Sequence, residues 1–239
     1  IFTICTTYGS TIWIDKLLKE QNAIVKSHKE DWDRQTRKEY KEKGRKKRVA
    51  VMLFALLCNF GILAFLKYIP YAGELGLLLP LGISFYTFQS MGYVMDVYRE
   101  IVEPEKNFLK VALFVSFFPQ IIQGPIAIYD KLAGQLYEGH SLRLENLQKG
   151  ALLVLWGVIK KLVIADRAVN IINFVMDKPM DFSGTYVFFA AVVYALQLYA
   201  DFSGGIDIVR GIAEMFGITM STNFNHPYFS RSLTEYWHR

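Results

Sequence analysis

The residues best suited to chemistry gather near the end of the chain. His226 and His238 stand twelve positions apart, among Asn223, Asn225, Tyr228, Glu235 and Trp237. An imidazole near membrane depth can act as a general base at neutral pH. The competing reading is that both are ordinary solvated or structural histidines. His28, in a basic segment, and His140, in a polar loop, read as solvated. Pro227 is expected to hold His226 extended, and Thr234 is the expected N-cap of a last helix. A second polar set lies in L-P-L-G-I-S-F-Y-T-F-Q-S-M-G-Y-V-M-D-V-Y. Gln89 and Asp96 share a helix face there, with Tyr93 on the adjoining ridge. Polar groups inside an apolar helix face a bundle interior or a cavity. Interhelical hydrogen bonding for packing is the first reading of Gln89, and a substrate role is the second. Asp96 can simply mark an interface.

Other chemistries find no support in the sequence. There is no Gly-rich phosphate loop, no Cys/His metal cluster and no Ser-His-Asp order. Cys5 and Cys58 sit in apolar segments and make neither a disulfide framework nor a metal site. No cofactor is expected.

The elements that position these residues are membrane-like. Val49–Leu66, Leu75–Met95, Val111–Tyr129 and Phe182–Ala200 contain no charged residue. A bilayer-spanning helix needs about 20 mostly apolar residues. The chain has 239 residues, of which 52% are hydrophobic. Four uncharged windows in that length predict an all-α, multi-pass membrane bundle. Ile1–Ile14 is apolar but short and begins without Met, so it reads as the tail of a longer helix. It lacks the basic stretch and cleavage site of a signal peptide. Gly150–Ala165 carries Lys160 and Lys161 and is read as a tilted span or a partly interfacial segment.

Val111–Tyr129 holds the break P-Q-I-I-Q-G-P, from Pro119 to Pro125. Freed backbone groups persist at membrane depth only inside protein or beside water. The segment therefore reads as a kinked or re-entrant pair facing the interior, with a plain proline kink as the alternative. Asp130–Lys149 and Asp166–Asp181 read as polar loops. D-F-S-G occurs at both Asp181 and Asp201, and without similar flanks this is coincidence. A separate amphipathic helix is expected over Ile206–Phe216, with Asp207, Arg210 and Glu214 in an intrahelical ion network.

The net charge of +5 is unevenly placed. Asp15–Arg48 holds thirteen Lys/Arg against seven Asp/Glu and ends in G-R-K-K-R directly before an apolar run. Its abutment to a span favours the positive-inside rule over nucleic-acid binding. Residues 15–48 are therefore expected in the cytoplasm, attracted to anionic membrane lipid. Ile14, Leu17, Leu18, Ile24, Val25 and Trp32 give this region an amphipathic helix, interfacial or continuing the first span.

Six sequence blocks resemble the membrane-bound O-acyltransferase family. They are L-P-L-G-I-S-F-Y-T-F-Q with D-V-Y-R, then S-F-F-P-Q-I-I-Q-G-P-I, G-V-I-K-K-L-V-I-A-D, A-L-Q-L-Y-A-D-F-S-G, N-F-N-H-P-Y and L-T-E-Y-W-H-R. They come in the family's order across about Val49 to Arg239. The match is closest to the bacterial alginate O-acetyltransferases and the D-alanyl-lipoteichoic acid transfer proteins. The resemblance implies a helical enzyme with a funnel through the bilayer. A cytoplasmic acyl donor, acyl-CoA or an acyl-carrier protein, would pass its acyl group to a cell-envelope polysaccharide or teichoic acid outside. An extracytoplasmic partner acyltransferase is a further implied partner. Within the blocks, Gln89, Gln120, Gln123, Asp201, Ser203, Asn223, Asn225, Tyr228 and Trp237 are the candidate substrate-binding residues. The family's W-H-x-S histidine and a second histidine would fall beyond Arg239. His238 stands one turn from the first of these and is only a neighbour of the expected catalytic position. The chain is thus expected to be one acyltransferase region, 1–239, truncated at both ends. A transporter or flippase would also use broken helices, but would show internal inverted repeats, and none are seen. A non-catalytic scaffold for a partner transferase is the third reading.

Overall fold

A computed structural model describes residues 1–28, 31–68, 80–124 and 128–239, apart from the side chain of Ile122. All regular structure among the described residues is helical. The all-α expectation holds. The chain divides into two compact units, Ile1–Ile121 with Ile126–Tyr137, and Ile122–Pro125 with Glu138–Arg239.

In the first unit, α1 (Phe2–Ser27) and α2 (Arg34–Tyr68) contact one another. Helix α2 has 35 residues. At a rise of about 1.5 Å per residue it is a rod of about 52 Å. Its first half is the charged run and its second half is the apolar window. The basic segment is therefore split between the end of α1 and the start of α2. Both charged stretches carry i,i+4 pairs, Asp15–Lys19 at 2.5 Å and Glu42–Lys46 at 3.5 Å. Deeper in, Asn59 is fully buried and donates to Thr6 Oγ1 (2.9 Å) and to the Ala55 carbonyl (2.8 Å). A satisfied polar group of this kind fixes register between helices where apolar packing alone is permissive.

The other two windows of this half give shorter helices. Residues 69–79, including the Pro70–Glu74 connection and Tyr71, lie outside the described residues. The next helix is α3 (Ile83–Tyr98), 16 residues long. Val111–Tyr129 is broken, into α4 (Phe108–Val115) and α5 (Phe118–Gln123), but earlier than the expected Pro119–Pro125. The interruption falls at Ser116 and Phe117. Pro119 is tolerated in the first turn of α5, where its missing N–H has no partner to lose. Pro125 lies outside the described residues. Helix α6 (Tyr129–Tyr137) then occupies a stretch expected to be loop. Tyr129 stacks on Tyr93 at 4.2 Å and meets Phe114 edge-on at 4.9 Å. The apolar ring, not the polar neighbours, decides this helix.

The second unit is built on two long helical rods. One runs as α7 (Leu144–Val158), a π-helical segment (Ile159–Ala165) and α8 (Asp166–Met176) without a break. The polar loop expected over Asp166–Asp181 is thus largely helix. Ala168, Val169, Ile171, Ile172, Phe174 and Val175 supply an apolar stripe between its charges, which is the pattern of a packed helix. The other rod is α9 (Gly184–Met215), 32 residues. The separate helix expected from Ile206 does not exist. D-F-S-G-G continues the helix, since its two glycines are consumed in packing. Among the described residues, α2 and α9 are the two helices long and apolar enough to cross a membrane. Phe188 (72% exposed) and Leu198 (54%) stand on the outer side of α9, as an apolar solvent would require.

Candidate functional site on helix α9

Glycines set the distance between the two rods. A Cβ placed on Gly157 would lie 2.5 Å from the Gly204 carbonyl oxygen, and one on Gly150 would lie 2.5 Å from that of Gly211. The spacing is seven residues on both helices, and the order is antiparallel. Small residues allow backbones to approach where hydrophobic driving force is weak. The approach puts Lys160 and Lys161 directly over Gly204.

These two lysines define the polar centre of the unit. Lys160 Nζ donates to Asp207 Oδ2 at 2.6 Å, and Lys161 Nζ to Asp201 Oδ1 at 2.5 Å. Adjacent residues on an α-helix diverge by about 100° and would not both reach one facing helix. The π segment has more residues per turn, so neighbours diverge less. The two lysines straddle the Gly204 contact and reach carboxylates on either side of it. Asp207 also accepts from Arg210 Nη1 at 3.3 Å, which realises one arm of the expected intrahelical network. Glu214 instead accepts from the Thr219 hydroxyl at 3.1 Å.

Further candidate residues lie on the same stretch of α9. Ser203 is 3% exposed, and its hydroxyl has no hydrogen-bond partner among the described residues. A Cβ on Gly205 would collide with the carboxamide of Gln123, so Gly205 makes room for that side chain. The chain after α9 then folds back on it through rings. Phe224 meets Tyr199 at 5.6 Å and Phe202 at 5.4 Å, and Tyr228 meets Tyr199 at 5.7 Å and Tyr236 at 6.1 Å. The Tyr228 hydroxyl donates to the Ala195 carbonyl at 2.7 Å. Burial, then the neighbouring Tyr236 and Tyr199, holds the Tyr228 phenol above its usual range. It therefore remains a donor at neutral pH.

His226 departs from expectation. Its backbone is left-handed, at φ 50° and ψ 59°, not extended. It precedes the 3₁₀ turn Pro227–Phe229, and its carbonyl accepts from Phe229 N at 3.1 Å. A non-glycine residue held there costs about 1–3 kcal/mol, and such strain is typical of ligand-handling segments. The Asn225 side-chain oxygen lies 3.2 Å from His226 Nδ1. Asn223 and Asn225 are exposed, as are Trp237 and His238. The last helix is α10 (Leu233–His238), capped by Ser232, which accepts from Glu235 N at 3.1 Å, rather than by Thr234.

Gln89 and Gln120 belong to the first unit. Gln89 is 4% exposed and donates from Nε2 to the Phe114 carbonyl at 2.9 Å, which is the packing role. Phe114 precedes the break before α5, so its carbonyl has lost its helical acceptor duty. Gln89→Leu should destabilise the protein by about 1–3 kcal/mol, the cost of an orphaned buried carbonyl. Chemical denaturation checks this, and unchanged stability would return Gln89 to the substrate candidates. Gln120 is 2% exposed.

No family model matches the chain. Individual proteins do. It is 32% identical over 226 residues to the peptidoglycan O-acetyltransferase of Helicobacter pylori, covering 79% of this chain and 43% of that protein. It is 38% identical over 164 residues to the probable alginate O-acetylase AlgI of Pseudomonas syringae pv. tomato, covering 68% and 31%. It is 26% identical over 165 residues to the teichoic acid D-alanyltransferase of Bacillus subtilis, covering 66% and 41%. The chain belongs to the membrane-bound O-acyltransferase family. It spans less than half the length of these relatives. With two apolar helices of spanning length it is a membrane protein.

Within this family member, Lys160, Lys161 and Asp207 escape sequence reasoning as site residues. In the sequence the lysines are only charges that interrupt an apolar run. Their partners lie 40 and 47 residues away, on the other rod.

Proposed function

We propose that this chain is the part of an envelope-polymer O-acyltransferase that carries the acyl group from a cytoplasmic donor to an acceptor beyond the membrane. The acyl group is acetyl or D-alanyl, the donor acyl-CoA or an acyl-carrier protein, and the acceptor a polysaccharide or teichoic acid. The protein crosses the membrane several times, with residues 15–48 on the donor side. The reading is supported most by the convergence of separate sequence blocks on α9. The K-K block, the Q-G block through Gln123 and N-F-N-H-P-Y all meet this one helix. E-Y-W then packs on Tyr228 of the last of them.

Acyl transfer to a hydroxyl needs three things: a base for the hydroxyl proton, donors for the developing oxyanion, and exclusion of water. The Asn225 carboxamide N–H is a donor of the right kind, while the Tyr228 O–H is committed to the Ala195 carbonyl and holds this segment against α9. Trp237, an exposed ring beside Tyr236 at 5.6 Å, offers an apolar surface for the acyl chain. The base is the histidine that the family resemblance implies, and His238 is only a neighbour of its expected position. The test is transfer by the full-length protein in liposomes, with labelled acyl donor on one side and acceptor polymer on the other. Hydroxylamine-labile label on the acceptor is expected. Its absence with acetyl and D-alanyl donors, each with its own acceptor, would overturn the reading. Transfer that a partner acyltransferase carries out equally well without this chain would leave only the scaffold role.

A further inference from the structure

A second site lies within the first unit, where α1 meets the charged half of α2. The cavity there measures about 430 Å³. Lys38, Lys41, Arg45 and Arg48 line it, against only Glu42 and Glu100, so four cations face two carboxylates. Glu42 is already matched by Lys46 at 3.5 Å.

Arg48 is the unusual member. It is 8% exposed, and its Nε is buried without a hydrogen-bond partner among the described residues. Its Nη1 donates to Gln21 Oε1. Its Nη2 lies 3.7 Å from Glu100 Oε1, too long for a good charge-assisted hydrogen bond. A buried guanidinium usually has its five donors fully engaged. This one is under-coordinated at the wall of an electropositive cavity.

Two further features show that the site is built. Gln21 is 6% exposed and donates to the carbonyls of Tyr40 (3.2 Å) and Lys41 (2.9 Å) while it holds Arg48. Its carboxamide fits only because residue 44 is glycine: a Cβ there would lie 2.5 Å from Gln21 Cδ. Glu100 is one of the two non-glycine residues with positive φ among those described, at 62°. A strained backbone thus holds a half-exposed carboxylate in loose contact with Arg48, where a tighter anion could replace it.

We infer that this cavity binds a phosphate ester, with Arg48 as the principal ligand, Arg45 and the lysines as auxiliary charges, and Glu100 as a displaceable internal occupant. The planar guanidinium suits bidentate phosphate recognition. Two sources share this chemistry, an anionic lipid headgroup and a soluble phosphoester. The site lies where the charged and apolar halves of α2 join, so either can reach it.

The test uses the full chain in phosphatidylcholine nanodiscs. One arm measures retention of phosphatidylglycerol by native mass spectrometry, and the other measures binding of inorganic pyrophosphate by equilibrium dialysis. Arg48→Gln should weaken the retained ligand roughly tenfold or more. Gly44→Ala, which displaces Gln21 without altering charge, should weaken it severalfold. Glu100→Gln should tighten it severalfold, a gain that misfolding cannot produce. Lys16→Gln, a charge change on α1 away from the cavity, should leave it unchanged. Phosphatidylglycerol alone responding identifies the lipid as the source. Pyrophosphate alone responding identifies a soluble ester, and both responding indicates a general phosphate pocket. Binding in neither arm, or equal losses for Lys16→Gln and Arg48→Gln, would overturn the inference.

Discussion

Gly157→Ala and Gly211→Ala should each destabilise the second unit by about 3 kcal/mol, the upper end for overpacking. The added methyl at Gly157 would sit 2.5 Å from the Gly204 carbonyl oxygen and 2.8 Å from Ile208 N. At Gly211 it would sit 2.6 Å from the Gly150 carbonyl oxygen and 2.8 Å from Val154 N. Both obstacles include backbone, so no rotamer change relieves them, and the rods must separate. Separation would also lengthen the Lys160–Asp207 and Lys161–Asp201 contacts. Gly61→Ala is the control. Gly61 lies inside α2 with nothing within 4 Å of a new Cβ. There the helix should gain about 0.5–1 kcal/mol from reduced backbone freedom. Denaturation of the three variants in the same detergent distinguishes the cases. Equal behaviour at positions 61, 157 and 211 would show that the rods do not pack through their glycines.

The second large effect concerns Asp207. Removing one partner of a buried ion pair costs about 3–5 kcal/mol, because the other charge is stranded. The side chains of Lys160 and Asp207 are 15% and 13% exposed, which places the loss near the lower bound. Asp207→Leu strands both Lys160 and Arg210, whereas Lys160→Met leaves Arg210 to neutralise Asp207. Asp207→Leu should therefore be clearly the more destabilising single change. The double variant Lys160→Met/Asp207→Leu should recover part of that loss, since a buried pair can be replaced by apolar groups at little cost. A double-mutant cycle measures the coupling. Additive losses would mean that the pair contributes only as two solvated charges.

Sequence is most informative where a single local property decides the structure. The apolar half of α2 is visible because eighteen residues from Val49 to Leu66 carry no charge and nothing interrupts them. The break in Val111–Tyr129 is visible only roughly: Pro119 points to it, but the interruption falls at Ser116 and Phe117 and the proline opens the next helix. Long-range pairings leave no such trace. Lys160 and Lys161 look like an imperfection in an apolar segment, because the carboxylates that neutralise them belong to another helix. Gly204 and Gly205 look like a helix end, since glycine ends helices more often than it packs them. Only the seven-residue spacing shared by Gly150/Gly157 and Gly204/Gly211 hints at packing. His226 shows the opposite failure. The local rule for a residue before proline is sound, but the 3₁₀ turn that follows outweighs it.

The candidate site is legible as sequence blocks but not as an arrangement. Among the residues singled out in the sequence, Gln89 has a structural partner within the first unit that accounts for it, and Asp201 is neutralised by Lys161. Asn225 and Trp237 are different. Both are exposed. Replacing either should change stability by no more than about 0.5 kcal/mol.

That difference makes Asn225 the most direct probe of the site. The measurement is the initial rate of acyl transfer by full-length Asn225→Ala in liposomes, across acceptor concentrations, beside a denaturation curve. An oxyanion donor of this kind contributes about 10²–10³ in kcat. The expected result is a fall in kcat of at least about tenfold, with stability unchanged. Wild-type transfer by Asn225→Ala would contradict the placement of the reaction on the α9 face.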